Sequence, residues 1–262
     1  MNSHGILRSQ GKRSAILLVI CCAPTRRRRC GLRRPVPCPV PAWTARLAAL
    51  TWLSALAAIA GETRPATPPH SYEDCSPLYR RYSRHHTQCL PPGKDRSCRP
   101  LQVGVSDAER ELILDIHNQY RNRLASGDEM AHGLPAAADM MQLEWNEELA
   151  TIAQKHASRC AIKTDCSDCR RVESFSVGQN ICNYKIRSRT TPSVYWRSTI
   201  AFWYEGIKQF HPRSIDPYVY KPLYGTFTQV TWSRTWAVGC GYSLFTRDRW
   251  FIQSYVCNYG PS

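Results

Sequence analysis

The side chains able to carry chemistry are cysteines, histidines and acids, and their spacing separates three kinds of site. The chain of 262 residues holds 13 Cys and 8 His. A metal site needs His or Cys at ligand spacing, and a nucleophile needs an elbow with a partner base. A disulfide framework needs only scattered cysteines in an oxidising compartment. No H-E-x-x-H occurs, and Ser243 and Ser254 lie in no G-x-S-x-G elbow. His70, His85 and His86 have no metal-type spacing. His156, on the apolar face of a predicted helix, reads as a core imidazole. Cys166-x-x-Cys169 has the spacing of a redox pair, but no thioredoxin-like βαβ pattern surrounds it. With Asp168 between them, these two cysteines read as a disulfide loop rather than as metal ligands. The set points to an extracellular, disulfide-bonded protein.

Charge separates the chain into two parts. The formal net charge is +15, which suggests nucleic acid. Yet residues 1–61 hold ten basic residues, including Arg26 to Arg29, and no acid, so residues 62–262 carry a net of only +5. Residues 47–60 read LAALTWLSALAAIA, an apolar run too short for a comfortable span and ending in a small-x-small pattern at Ala60. A basic flank precedes it, which is the anatomy of a secretory signal. A second candidate is Ala15 to Ala23. A membrane anchor with a cytosolic basic arm, a spuriously extended start and a nuclear signal at Arg26–Arg29 are the alternatives. The expected organisation is residues 1–60 as basic region and signal, 61–105 as a cysteine-bearing extension, and 106–262 as the main domain. Removal of the front segment takes the nucleic-acid reading with it, and the mature form has no stable membrane span.

The elements that must position any site follow from periodicity. Ser106-Asp107-Ala108-Glu109 forms a capping box, and Leu112, Ile113, Ile116, Tyr120 and Leu124 recur at helical spacing up to Gly127. Asn146 caps a second helix over Glu147–Cys160. A third is expected over Pro192–Phe210, with Thr191 as cap and Pro192 at the first helical position. Three short runs then read as strands: Phe227–Trp232, Ala237–Leu244 and Trp250–Tyr259. Helices followed by an antiparallel sheet give an α+β domain.

Four segments stand out in order: His117-Asn118-Gln119-Tyr120-Arg121, Gly178-Gln179-Asn180-Ile181, Gly225-Thr226-Phe227-Thr228-Gln229-Val230-Thr231-Trp232, and Tyr255-Val256-Cys257-Asn258-Tyr259-Gly260-Pro261. Together they resemble the CAP superfamily of cysteine-rich secretory, antigen-5 and pathogenesis-related-one proteins, most nearly the arthropod antigen-5 venom and salivary proteins. The resemblance covers about residues 106–261 and implies a three-layer α–β–α sandwich with a short antiparallel sheet, stapled by disulfides.

The family often carries two His and two acids in a central cleft, where imidazoles could hold Zn²⁺ and carboxylates could move protons. Here the strand-motif His is Thr226 and the acid of G-E-N is Gln179. The helix acid falls on Gly206, with Glu205 one residue early, about 100° round a helix. Lys163 to Cys169, where the remaining His belongs, contains none. No catalytic residue, no metal and no cofactor are therefore expected. His117 and Arg121, at i and i+4, together with Asn118, Asn180, Gln229 and Asn258, read as structural signature positions that pin helix and loops.

By the same resemblance Cys240 pairs with Cys257, Cys98 with Cys160, and Cys75 with Cys89. Cys166, Cys169 and Cys182 stay open; since nine is odd, one is free or intermolecular. No N-x-[ST] site is present. The chain ends at Ser262, without the tail and later cysteine-rich module of channel-modulating relatives. The resemblance implies a secreted, non-catalytic protein that binds an extracellular protein or a small hydrophobic ligand. The alternatives are a divalent-metal-dependent hydrolase using the cleft, and a sterol or fatty-acid carrier.

Overall fold

The computed structural model describes residues 75–91 and 98–262 in full, and the backbone alone of two short strands, β1 (Gly5–Leu7) and β2 (Ile16–Ile20). The expected signal sequence at 47–60 and Cys21, Cys22, Cys30 and Cys38 lie outside the described residues. Everything described belongs to one compact unit.

The chain order is α1 (Pro77–Tyr82), β3 (Pro100–Val103), α2 (Asp107–Ala125), β4 (Glu144–Trp145), α3 (Glu147–Ser158), β5 (Gly178–Arg187), α4 (Trp196–Tyr204), α5 (Gly225–Val230), β6 (Ala237–Arg247) and β7 (Trp250–Gly260). The strands form one open sheet in the order β1-β2-β5-β7-β6-β3, with β4 added parallel to β6. Its centre is antiparallel: β7 pairs with β5 from Gly178↔Tyr259 to Ile186↔Phe251 and with β6 from Ala237↔Gly260 to Arg247↔Trp250.

Period-2 alternation divides the central strands between two helical layers. Val238, Cys240, Tyr242 and Leu244 of β6 and Tyr255, Cys257 and Tyr259 of β7 join a large cluster with Ile113 and Ile116 of α2 and Ile200 and Trp203 of α4. On the opposite face α3 lays Ala153 and Ala157 against Ile181 and Val256. The α3 backbone comes so close to β6 that a Cβ at Gly239 would overlap Ala150, and one at Gly241 would overlap Gln154. Two glycines on one face of a central strand thus admit a helix, which is close approach rather than flexibility.

Helix α2 starts where the capping box predicts. Ser106 Oγ accepts from the Glu109 amide, and the Glu109 carboxylate accepts from the Ser106 amide at 2.8 Å. Asn146 caps α3 through the Leu149 amide.

Two expected elements are corrected. The strand expected at Phe227–Trp232 is instead mostly helix α5 and pairs with no strand. Its β-branched and aromatic residues suit a strand, but Phe227 and Val230 at i and i+3 meet the core, and Phe227 packs on Tyr204 and Phe210. Tertiary packing overrides propensity here. The helix expected from Pro192 begins only at Trp196. The Tyr195 amide donates to Tyr255 Oη, and the Ser193 carbonyl accepts from Gln253 Nε2, so sheet side chains hold residues 193–195 out of the helix. At its other end the helix tightens into a 3₁₀ turn over Glu205–Gln209.

The structure joins Cys75 to Cys89, Cys98 to Cys160, Cys166 to Cys169 and Cys240 to Cys257. The last two cysteines face each other across β6 and β7 with Cα atoms 4.1 Å apart. These four bridges join eight of the nine cysteines beyond residue 61, and the ninth, Cys182, is disulfide-bonded as well, so it is not free.

Candidate functional site

The signature residues converge on the centre of the α2–β7–β5 contact. His117 on α2 is fully buried. Its Nδ1 lies 2.7 Å from the Ile113 carbonyl, so that nitrogen carries the proton. Its Nε2 is therefore an acceptor and receives a hydrogen bond from the Tyr259 hydroxyl at 2.9 Å. Burial, with the Arg121 charge one turn away, lowers the imidazole pKa to about 4, while the Ile113 carbonyl opposes that shift. Neutral His117 is the form this site holds. Asn180 on β5 approaches the same Tyr259 hydroxyl and donates from Nδ2 to the Thr226 carbonyl at 3.0 Å.

Arg121, one turn further along α2, is 1% exposed. Its guanidinium donates to the carbonyls of Met141, Val230, Trp232, Ser233 and Thr235, at 2.6–3.1 Å. Among the described residues no carboxylate pairs with it; five backbone dipoles balance the charge, and burial lowers its pKa to about 10. The residue thereby ties α2 to the 141 loop and to the segment after α5. Asn118 completes the anchoring by a reciprocal pair with the Leu143 backbone at 2.8 and 3.0 Å.

Gln179 and Asn258, opposite one another on β5 and β7, share a 3.0 Å hydrogen bond. Gln179 Oε1 also accepts from the Asp165 amide, and Asn258 Nδ2 donates to the Leu149 carbonyl at the start of α3. Thr226 Oγ1 donates to the Trp203 carbonyl at 3.2 Å, tying α5 to α4. Glu205 is exposed and pairs with Lys208 at 3.5 Å. Gly206 faces inward, and a Cβ there would meet Phe227 Cβ at 2.7 Å and Tyr224 Cα at 3.2 Å. No side chain fits at that position, so the acid cannot be restored at 206 without moving α5. Gln229 differs from its expected role. It makes no side-chain hydrogen bond to a described residue and instead fills the space beside Gly178, where a Cβ would overlap its amide.

The cleft positions therefore present one amide and one hydroxyl, both engaged internally, and one surface carboxylate. Among the described residues no group of three or more His, Cys, Asp or Glu is placed to hold a metal ion. A small hollow of about 240 Å³ lies elsewhere, outside Arg121, between Asn118, Asn122, Met140 and Gln142.

A second polar centre was not legible in the sequence. Asp165 accepts from Thr87 and Arg170, each at 2.7 Å, and lies 3.7 Å from His156 Nδ1. Buried His86 contacts the Arg171 carbonyl at 2.9 Å. These contacts dock the extension carrying α1 on the loop before β5. Thr87 and His86 gave no signal because the extension shows no periodicity.

A disulfide-stapled α–β–α sandwich with these signature residues at its centre defines one class of domain. The model of the cysteine-rich secretory protein family, CAP, matches residues 114–259, and the chain belongs to that family. Venom allergen 5 of Tityus serrulatus is 46% identical over 191 residues, 72% of this chain and 45% of that protein. Venom allergen 3 of Solenopsis invicta is 37% identical over 196 residues, 70% of this chain and 81% of that protein. The chain spans about half the length of several of the curated relatives it matches. Among solved structures, Schistosoma mansoni venom allergen-like protein 4 aligns over 60% of this chain and 90% of its own, at 23% identity and a TM-score of 0.46.

Proposed function

We propose that this chain is a secreted, non-catalytic CAP protein of antigen-5 type that acts by binding an extracellular protein. The observation that carries the reading is the chemistry of the cleft positions. Gln179 and Thr226 are bound to Asn258 and to the Trp203 carbonyl, Gly206 has no side chain, and Glu205 lies at the surface with Lys208. A hydrolytic site needs a base of suitable pKa or a metal-bound water, and neither Gln nor Thr supplies one. Relatives named as venom allergens support venom- or saliva-type secretion, as does the disulfide set. Among the described residues no helix is long and apolar enough to cross a membrane. Cleavage near Ala60 belongs to the same reading, and N-terminal sequencing of protein recovered from the medium of expressing cells tests it. Recovery of chains starting near Gly61 is expected; an intact front segment in cell membranes contradicts secretion.

The binding surface of the reading is tested by crosslinking the purified protein to plasma and extracellular-matrix proteins, followed by mass spectrometry. One partner captured by native protein and missed by reduced, unfolded protein is expected. Hydrolysis of ester or peptide substrates that requires added zinc overturns the non-catalytic assignment.

A further inference from the structure

The distal end of the central sheet carries a cluster of cations that make no ion pair among the described residues. Directly paired residues share a sheet face, so Lys185, Ile252 and Phe245 lie together, with Trp250 and Arg247 one step beyond. Arg187 follows Lys185 by two residues on that same face. This is the α3 face, but α3 ends at Ser158. Beyond it, Cys160 and Cys98 pack on Phe245, Ile252 and Trp250, and the sheet continues outward. The Lys185 ammonium sits 4.7 Å from the Trp250 ring centre, the Arg187 guanidinium 6.0 Å from it, and the Arg247 guanidinium 5.9 Å from the Phe245 ring.

The rings act as a platform that holds the cations outward, since a cation over an aromatic face is favourable and the stem lies on apolar surface. Arg249, exposed at the tip of the β6–β7 turn, adds a fourth charge. It and Asp248 take positive φ, of 63° and 49°, where hairpins favour Asn-Gly. Among the described residues, Lys185, Arg187, Arg247 and Arg249 make no ion pair. Asp248 is the one acid in this turn.

We infer that this face binds a sulfated glycosaminoglycan chain. The strand positions that bear the cations are roughly 7 Å apart along a strand and roughly 10 Å apart across alternate strands, a patch that fits one flexible polyanionic strand. Duplex nucleic acid presents two phosphate rows and gains affinity from longer basic tracts. Charge complementarity with sulfate and carboxylate groups supplies the attraction, and neighbouring like charges supply the reason for the patch to want an anion. The extracellular setting, where sulfated glycans occur, rests on the secreted reading above; binding itself does not.

The test uses heparin as the probe. The purified full chain is eluted from immobilised heparin by rising NaCl. Arg187→Gln/Arg247→Gln/Arg249→Gln is compared with Arg80→Gln/Arg81→Gln/Arg234→Gln, which removes equal charge from other exposed positions. The patch variant is expected to elute at clearly lower salt, with affinity reduced tenfold or more, while the control elutes near the parent chain. Asp248→Asn removes the acid and suits positive φ, so it should elute later than the parent, a gain that misfolding cannot mimic. Equal elution of patch and control variants overturns the proposal, as does equal retention on desulfated heparin. Competition by duplex DNA at lower charge concentration than heparin also overturns it.

Discussion

Arg121 and His117 stand on one edge of α2, yet burial treats them oppositely. The guanidinium stays charged because five carbonyls surround it, whereas the imidazole is neutral because burial, with the Arg121 charge nearby, disfavours its charged form; Ile113 and Tyr259 only fix which tautomer it takes. Arg121→Gln leaves several buried carbonyls without donors. It is expected to lower stability by at least about 2–3 kcal/mol, as measured by urea unfolding with an unchanged m-value; a loss within about 0.5 kcal/mol, the range usual for surface substitutions, contradicts the anchoring role. For His117 the folded pKa of about 4 lies below the unfolded value of about 6.5. The unfolded chain therefore binds the proton more readily, so this contribution is complete above the unfolded value. It is lost as pH falls from 6.5 towards 4 and amounts to about 3 kcal/mol. His86, lowered mainly by burial, acts in the same direction. Unfolding midpoints measured across that interval should fall with pH, and His117→Asn should flatten the slope. The spacing of residues 117 and 121 was legible in the sequence. Their partners were not, because Met141, Val230, Trp232 and Thr235 contribute backbone carbonyls that carry no signature in side-chain type.

At the scale of elements, α2 and α3 were legible because caps and apolar periodicity agree with the layers they enter. Helix α5 and the start of α4 were hidden. The sequence Thr-Phe-Thr-Gln-Val favours a strand locally, and only packing on Tyr204 and Phe210 decides otherwise. Pro192 is a good first helical residue, but Gln253 and Tyr255 of β7 take the backbone groups that a helix would need. Strand β5 runs ten residues and was seen only as the four-residue signature at its start. Phe227→Ala should cost about 3–5 kcal/mol and loosen α5, which hydrogen exchange of Thr228 and Thr231 amides would report. Gly241→Ala forces α3 away from β6, since the added methyl meets backbone. Its expected cost is at least about 2 kcal/mol, measured by thermal unfolding; retained stability would mean that α3 is not held so close.

At the scale of the molecule, the α+β class was legible from element order, while the α–β–α layering came with the family resemblance. The sheet turns one face to α2 and α4 and the other to α3, and disulfides tie in what the core does not reach. Cys98–Cys160 closes a separation of 62 residues between the extension and the end of α3. Replacing both by Ser should reduce stability by about 2–4 kcal/mol, and proteolysis should then cut first near residues 75–98. Strand β2 occupies the outer edge of β5; cleavage near Ala60 would open that edge, so chain length and sheet width are linked.

On the proposed function, a CAP cleft without its ligands acts by binding rather than by metal chemistry. Calorimetric titration of the purified chain with zinc at neutral pH checks this, with Gln179→Leu and Thr226→Val in parallel. No zinc binding that either substitution alters is expected. One zinc per chain, bound saturably and abolished by both substitutions, would contradict it.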